Sequence, residues 1–366
     1  MKILQVITSL RTGGAERMAA ELTKRMAGSG DDVELLLFDD TRTPLYDAME
    51  SSGIKVHSLG KGEKAMHNPL LAFRLRHFLK KHAFDVVHAH NSPCQYLVAL
   101  VSPRQIISVT TEHGTVNRRR NHSLLRPLDR WMYSRYRSIV CVSEETRDEL
   151  SRWLDDKKLD ERMSVVLNGI DLDGFKDASP AQDIADNERF KILMVSAFRP
   201  EKDQMTLIKA MGLLPDDCEL LLAGGAELPA HKAIMDSCKK AAEDLGLGER
   251  VRFLGHRDDI PALLAASDMV VLSSLHEGLP LSALEAMASG RPFVASDVSG
   301  LRDIVRGAGI LFPCGDAERL AQIIGRFRED RGLREGIAAS CRKRAEKYDI
   351  AKTVEGYRSI YEQITR

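Results

Sequence analysis

The chain has no net charge: its 53 lysines and arginines balance 53 aspartates and glutamates. A protein built to lie along nucleic acid carries a basic surplus, so nucleic acid is not an expected partner. Long apolar runs are missing too, since no stretch approaches the roughly 18 apolar residues of a spanning helix. The opening run Lys2-Ile3-Leu4-Gln5-Val6-Ile7 is broken by Thr8-Ser9. That is too short for the apolar core of a secretory signal, and no cleavage site follows. The expected location is therefore the cytoplasm. Cysteine is sparse: Cys94, Cys141, Cys218, Cys238, Cys314 and Cys341 are scattered without C-x-x-C pairing. This spacing suits reduced, mostly buried thiols rather than a disulfide or zinc framework. Two phosphate-binding signatures are absent as well. The first glycine loop fails the G-x-G-x-x-G spacing, which disfavours a nicotinamide oxidoreductase, and no Walker G-x-x-x-x-G-K-[ST] occurs.

What is present is alternation. With 366 residues the chain is too long for one ordinary core and suits two domains. Strand-length apolar runs occur at Lys2–Ile7, Val33–Phe38, Lys55–Leu59, Val86–His90, Gln105–Thr110, Ile139–Ser143 and Ser164–Leu167. Amphipathic segments such as Ala15–Ala27 and Leu70–Lys81 lie between them, the pattern of a parallel sheet with helices on both faces. The pattern stops in polar Lys176–Asn187, where a linker is expected. It resumes at Lys191–Ser196, Cys218–Ala223, Val251–Leu254, Met269–Ser273, Pro292–Ala295 and Gly309–Phe312, and a charged helical tail runs over Arg331–Thr365. The expected fold class is α/β with two Rossmann-like, doubly wound domains. The expected spans are 1–178 with 350–366, and 185–349.

In such sheets ligands bind beyond the carboxyl ends of the strands, so the strand-to-helix loops hold the candidates. Gly13-Gly14 opens a helix, either as a tight turn or as an anion site. His88-Ala89-His90-Asn91 and Thr111-Glu112-His113-Gly114 each follow a strand, with structural and functional roles both open. Arg199-Pro200-Glu201-Lys202 follows another and suits a diphosphate, or is an ordinary solvated turn. Gly224-Gly225 is a further close-approach loop. The sharpest signal is Ser273-Ser274-Leu275-His276-Glu277-Gly278-Leu279-Pro280, which runs into Glu285 and a helix closed by Gly290. Were both glutamates helical, about 12 Å would separate them along the axis. Hydrolytic carboxylate pairs flank one bond at roughly 5–9.5 Å, so two grips on one extended ligand fit better.

Glu277 and Glu285 form an E-x7-E motif around Glu-Gly-Leu-Pro, and in this the chain resembles the retaining glycosyltransferases of family 4. The resemblance runs through Gly13-Gly14-Ala15-Glu16, His88-Ala89-His90, Thr111-Glu112-His113, Asn168-Gly169-Ile170-Asp171, Pro200-Glu201-Lys202, Phe253-Leu254-Gly255 and Gly290-Arg291-Pro292. It implies the GT-B fold, two Rossmann-like domains facing a central cleft, with a C-terminal helix crossing back to the N-terminal domain. It implies that Glu277 contacts the donor sugar, Glu285 the ribose, and the amides of Gly278 and Leu279, ahead of Pro280, the diphosphate. Lys202 would neutralise that diphosphate with Arg199. The family commonly places its arginine where Ala197 stands here, so Arg199 would act by a different path. Gly13, Gly14, Gly224, Gly225 and His256 would line the donor, and His113 matches the active-site histidine. Asp171-Leu172-Asp173 mimics a D-x-D metal motif but falls in the Asn-Gly-Ile-Asp segment and reads as structural. No cofactor or metal is expected.

The expected reaction is front-face transfer with retention from a nucleotide-sugar, UDP preferred to GDP, to a glycan or lipid-linked acceptor. Bacterial surface polysaccharide or glycolipid assembly is the setting that the resemblance implies. Between Lys55 and Arg137 stand 15 basic residues against 4 acidic ones. Arg118, Arg119 and Arg120, with His90, are accordingly expected on the acceptor side, with peripheral contact to a membrane through this domain. The rival readings are a sugar-nucleotide 2-epimerase of similar build and a non-catalytic nucleotide-sugar-binding protein.

Overall fold

The computed structural model describes residues 1–11, 13–62, 68, 70–103, 105–114, 118–184, 187–226 and 228–366. Two compact units result, Met1–Gly169 with Ile350–Arg366, and Ile170–Asp349. The first holds β1 (Lys2–Ile7), β2 (Asp32–Leu37), β3 (Lys55–Ser58), β4 (Val86–His90), β5 (Ile107–Glu112), β6 (Ser138–Cys141) and β7 (Met163–Val165). Their order is β3-β2-β1-β4-β5-β6-β7, and every pairing is parallel. The second holds β8 (Phe190–Val195), β9 (Cys218–Ala223), β10 (Val251–Gly255), β11 (Met269–Leu272), β12 (Phe293–Ser296) and β13 (Ile310–Phe312). They are ordered β10-β9-β8-β11-β12-β13, again all parallel. Both sheets therefore reverse direction beside their first strand, between β1 and β4 and between β8 and β11. Those are the topological switch points at which doubly wound sheets bind ligands.

The strands read as unbroken apolar runs because helices cover both faces. β4 and β9 are buried at every residue. Leu71, Leu75 and Leu79, four residues apart, give helix Leu71–Lys81 its one buried stripe. That stripe joins Cys94, Val98, Met132, Tyr133, Leu150 and Trp153 in one core on a single face of the first sheet. Among the described residues no helix is long and apolar enough to cross a membrane.

Two expectations change. The stretch expected as a linker lies inside the second unit: Ile184 is buried, and the Ala181 amide donates to Ala262 O at 3.0 Å. Apolar residues at both positions anchor an otherwise polar loop. The chain passes between units at Gly169–Ile170 and returns at Asp349–Ile350. The charged tail is not one helix but Arg331–Ala345, a turn at Glu346–Tyr348, and Ile350–Thr365. It breaks where it meets the outgoing strand: Ile170 N–H donates to Tyr348 O at 2.9 Å. The last helix belongs to the first unit, where Tyr357 and Tyr361 are fully buried and Thr353 Oγ1 donates to Leu167 O at 2.8 Å.

Candidate active site

At the second unit's switch point, two loops are tied together. After β8 the chain makes a tight turn at Pro200–Lys202, and the Lys202 amide donates to Arg199 O at 3.0 Å. Asp203 closes the turn in a left-handed conformation, φ 47°, which an aspartate tolerates better than most residues. Its carboxylate then caps helix Gln204–Met211 through the Thr206 amide at 3.3 Å. After β11, Ser273 Oγ donates to Asp203 O at 2.7 Å, and the Leu275 amide to Glu201 O at 2.8 Å. These bonds bring Lys202 Nζ to Glu277 Oε1 at 2.5 Å, and Ser274 Oγ donates to the same oxygen at 2.7 Å. The pair is 17% and 9% exposed, so solvent screens it weakly.

The helix Leu281–Ala288 starts only after Pro280, with no side-chain cap. Glu277 thus sits in the loop and Glu285, 1% exposed, inside the helix. The amides of Gly278 and Leu279 lie just ahead of the helix N-terminus, where the dipole favours an anion. Gly300, at φ 78°, backs the loop: a Cβ there would come within 2.3 Å of both Glu277 O and Gly278 O. Arg199 is half-buried on the same turn as Lys202, and among the described residues its buried Nε has no hydrogen-bond partner. An unpaired guanidinium nitrogen beside the Lys202 turn is suited to an incoming anion.

Gly224 approaches protein rather than open space. A Cβ there would stand 1.8 Å from Ser196 O, so this glycine lets the β9 loop lie against the β8 loop. Gly225 O accepts from the Phe198 amide at 3.0 Å, and its nearest side chain is His256, exposed and 3.2 Å from Asp258. Asp171 and Asp173 lie on an exposed turn, where Asp173 pairs with Lys176 at 2.7 Å.

At the first unit's switch point neutral side chains form a hydrogen-bonded chain. His90 Nδ1 lies 3.0 Å from His113 Nε2, and His90 Nε2 lies 2.7 Å from Gln5 Oε1. Gln5 reaches Tyr361 OH at 3.3 Å, which also lies 2.5 Å from His88 Nδ1, while His88 Nε2 meets Thr111 Oγ1 at 2.7 Å. Every nitrogen of His88 and His90 is thereby engaged within the protein. Burial holds His88 and His90 well below the ordinary imidazole range and lowers His113 to about 4. All three are neutral at physiological pH. With His90 Nε2–H donating to Gln5, His90 Nδ1 accepts from His113 Nε2–H. That leaves His113 Nδ1 as a lone-pair acceptor, a buried atom with no partner among the described residues.

Gly13 is the extended residue before helix Gly14–Gly28, and no atom lies within 4 Å of a Cβ built on Gly14. Glu16 folds back, with Oε2 2.0 Å from a Cβ built on Gly13. An anion at this helix end would meet that carboxylate.

The described side chains expected on the acceptor side have partners within the protein. His90 is fully buried and supports His113. Arg119 Nε bonds Asp129 at 3.2 Å and its Nη1 donates to Ser92 Oγ at 2.7 Å. Arg120 pairs with Glu112 at 3.6 Å. Asp129 and Glu112 are buried carboxylates, and they draw these arginines inward by the desolvation they would otherwise suffer. The Arg118 side chain and residues 115–117 lie outside the described residues. Sequence reasoning missed Gln5, Tyr361 and Gly300, and it gave Ser273 and Ser274 no role of their own although they open the Glu277 segment.

Two doubly wound units, with the E-x7-E segment at the switch point of the second, are the architecture that the resemblance implied, and comparison with known proteins shows the family. Residues 12–173 match the family Glycosyltransferase Family 4, and residues 175–347 match Glycosyl transferases group 1. The chain belongs to this family of glycosyltransferases. It is 24% identical to the UDP-Gal:alpha-D-GlcNAc-diphosphoundecaprenol alpha-1,3-galactosyltransferase of Escherichia coli, covering 99% of this chain and 96% of that protein. It is 26% identical to the phosphatidyl-myo-inositol mannosyltransferase of Mycolicibacterium smegmatis, covering 96% and 91%. In fold it is similar to Anabaena HepE, solved with UDP and glucose, with a TM-score of 0.87 at 23% identity over 99% of this chain and 100% of that one.

Proposed function

We propose that the protein transfers a sugar from a UDP-sugar, with retention and without a metal, to a glycan or a lipid-linked acceptor. The observation that carries this reading is the Lys202–Glu277 pair at 2.5 Å on the second unit's switch point. In this reading Glu277 binds the donor sugar's hydroxyls and Glu285 the ribose. Lys202, Arg199 and the amides of Gly278 and Leu279 take up the charge that develops on the leaving diphosphate. His113, through its free Nδ1, accepts from a sugar hydroxyl. Ser274, whose Oγ donates to Glu277, is fully buried and so is not placed to attack a sugar, which favours front-face displacement through an oxocarbenium-like state. UDP is preferred because the Escherichia coli relative is named for UDP-Gal and HepE was solved with UDP. A lipid-borne acceptor is preferred because two relatives are named for diphosphoundecaprenol and phosphatidyl-myo-inositol substrates. Such an acceptor would place the enzyme on the inner face of a membrane as a peripheral protein.

Thermal unfolding with UDP-, GDP-, ADP- and dTDP-sugars, with and without magnesium, tests the reading. A UDP-sugar without metal should raise the melting temperature by mass action, and Glu285→Ala should abolish the shift. Absence of a shift with every nucleotide would remove the donor site. Conversion of donor in the absence of any acceptor would indicate an epimerase instead.

A further inference from the structure

Arg119 and Arg120 are tied down, yet the helix that follows them presents an apolar stripe to the outside. Leu124 is 91% exposed, Leu128 46% and Trp131 39%, at spacings that align them on the outer face of helix Arg126–Ser134 and the turn before it. The opposite face buries Asp129, Met132 and Tyr133. Helices Leu71–Lys81 and Cys94–Val101 belong to the same layer, and they expose Phe73 and Leu100. Residues 118–137 contain seven arginines and one acid, Asp129, which is buried, so the outer surface of this segment carries no carboxylate. Arg135 and Arg137 are exposed at the stripe's end. Helix Leu71–Lys81 has no acid either, and exposes Arg74, Arg76 and Lys80 around Phe73.

We propose that Leu124, Leu128 and Trp131, with Phe73 and Leu100, insert into the interface of an anionic bilayer while Arg135, Arg137 and Lys80 meet its headgroups. Apolar side chains flanked by cations, with no exposed carboxylate on either helix and the neighbouring Asp155 paired with Arg130 at 3.3 Å, complement an anionic lipid surface. A second protein surface would need no such uniform sign. The proposal rests on the lipid-linked acceptor proposed above. Arg119 ties the start of this segment to Ser92, in the loop after β4, so a lipid docked on the stripe lies near the carboxyl ends of the first sheet.

The full chain is sedimented with vesicles of phosphatidylcholine alone and of phosphatidylcholine with phosphatidylglycerol. Wild type should bind the anionic vesicles and not the neutral ones. The triple substitution Leu124→Ser, Leu128→Ser and Trp131→Ser should weaken binding by about tenfold or more, with the UDP-sugar thermal shift unchanged. Leu124→Ser alone, at the most exposed position, should weaken it less and cannot disturb the core. Arg135→Glu with Arg137→Glu should abolish the preference for anionic lipid. Wild-type binding by the triple variant, or no binding by wild type, overturns the proposal and leaves the donor site standing. Loss of the donor shift in wild type is a failure of the transferase reading instead. A lipid-free dimer that the triple variant dissolves would assign the stripe to a second copy of the chain and overturn the proposal.

Discussion

The two units share a strand order but not a chemistry. Both sheets are parallel and reverse beside their first strand, so both offer loops at the same topological position. The second unit fills it with a lysine and a glutamate held by loop-to-loop hydrogen bonds. The first fills it with a chain of neutral imidazole, amide and phenol groups. A doubly wound sheet thus sets where a ligand can sit, while the side chains on its loops set what chemistry that place offers. Charge suits the phosphates, and an uncharged acceptor atom suits sugar hydroxyls.

Removing the charge from the second unit is the severest test of this division. Lys202→Ala should lower kcat by about 100- to 1000-fold, as loss of one preorganised transition-state contact does, while leaving the folding of the first unit intact. A loss below tenfold would move the diphosphate elsewhere. The units also differ in how their glycines are used. Gly224→Ala drives a Cβ into Ser196 O and should cost about 3 kcal/mol of stability. Gly14→Ala, with open space around it, should leave the melting temperature within a degree or two of wild type, on the order expected for an unstrained exposed site. Equal effects in the two variants would erase the contrast.

Arg119 supplies a third comparison, between a binding arginine and a buried one. Arg119→Ala should destabilise by about 2–3 kcal/mol, less than a fully stranded buried charge because Tyr96 and Trp153 still donate to Asp129. Chemical denaturation measures it, and an unchanged midpoint with weakened acceptor turnover would return Arg119 to the acceptor site. A further contrast concerns pH. The unfolded chain, with imidazoles near their ordinary value, takes up protons that folded His113 refuses down to about pH 4. Its stabilising contribution is complete above pH 6.5 and is lost as pH falls through that window, by about 2 kcal/mol at pH 5. The melting temperature of His113→Gln should therefore fall less steeply between pH 7 and 5 than that of wild type. Parallel slopes would show that the first unit's site is not held neutral.

The strands were legible because buried parallel strands are short apolar runs punctuated by loops, and all thirteen occur within a few residues of where the pattern places them. The Lys202 turn and the Glu277 loop were legible as candidates because both directly follow such runs. Their direct contact was not, since 75 residues separate them. The inward turn of Arg119 and Arg120 was also hidden, because a run of arginines reads as solvated charge until buried Asp129 and Glu112 are found beneath it.

The sequence by itself determined two doubly wound halves, the motif loops at their strand ends and the apolar stripes that pack helices onto each sheet, because periodicity and burial are local properties of the chain. Only the tertiary structure decided what each titratable side chain meets. His88 finds Tyr361 across 273 residues, and Gly300 makes room for the Glu277 loop. Such pairings are set by sheet order and loop packing, and no spacing along the chain encodes them.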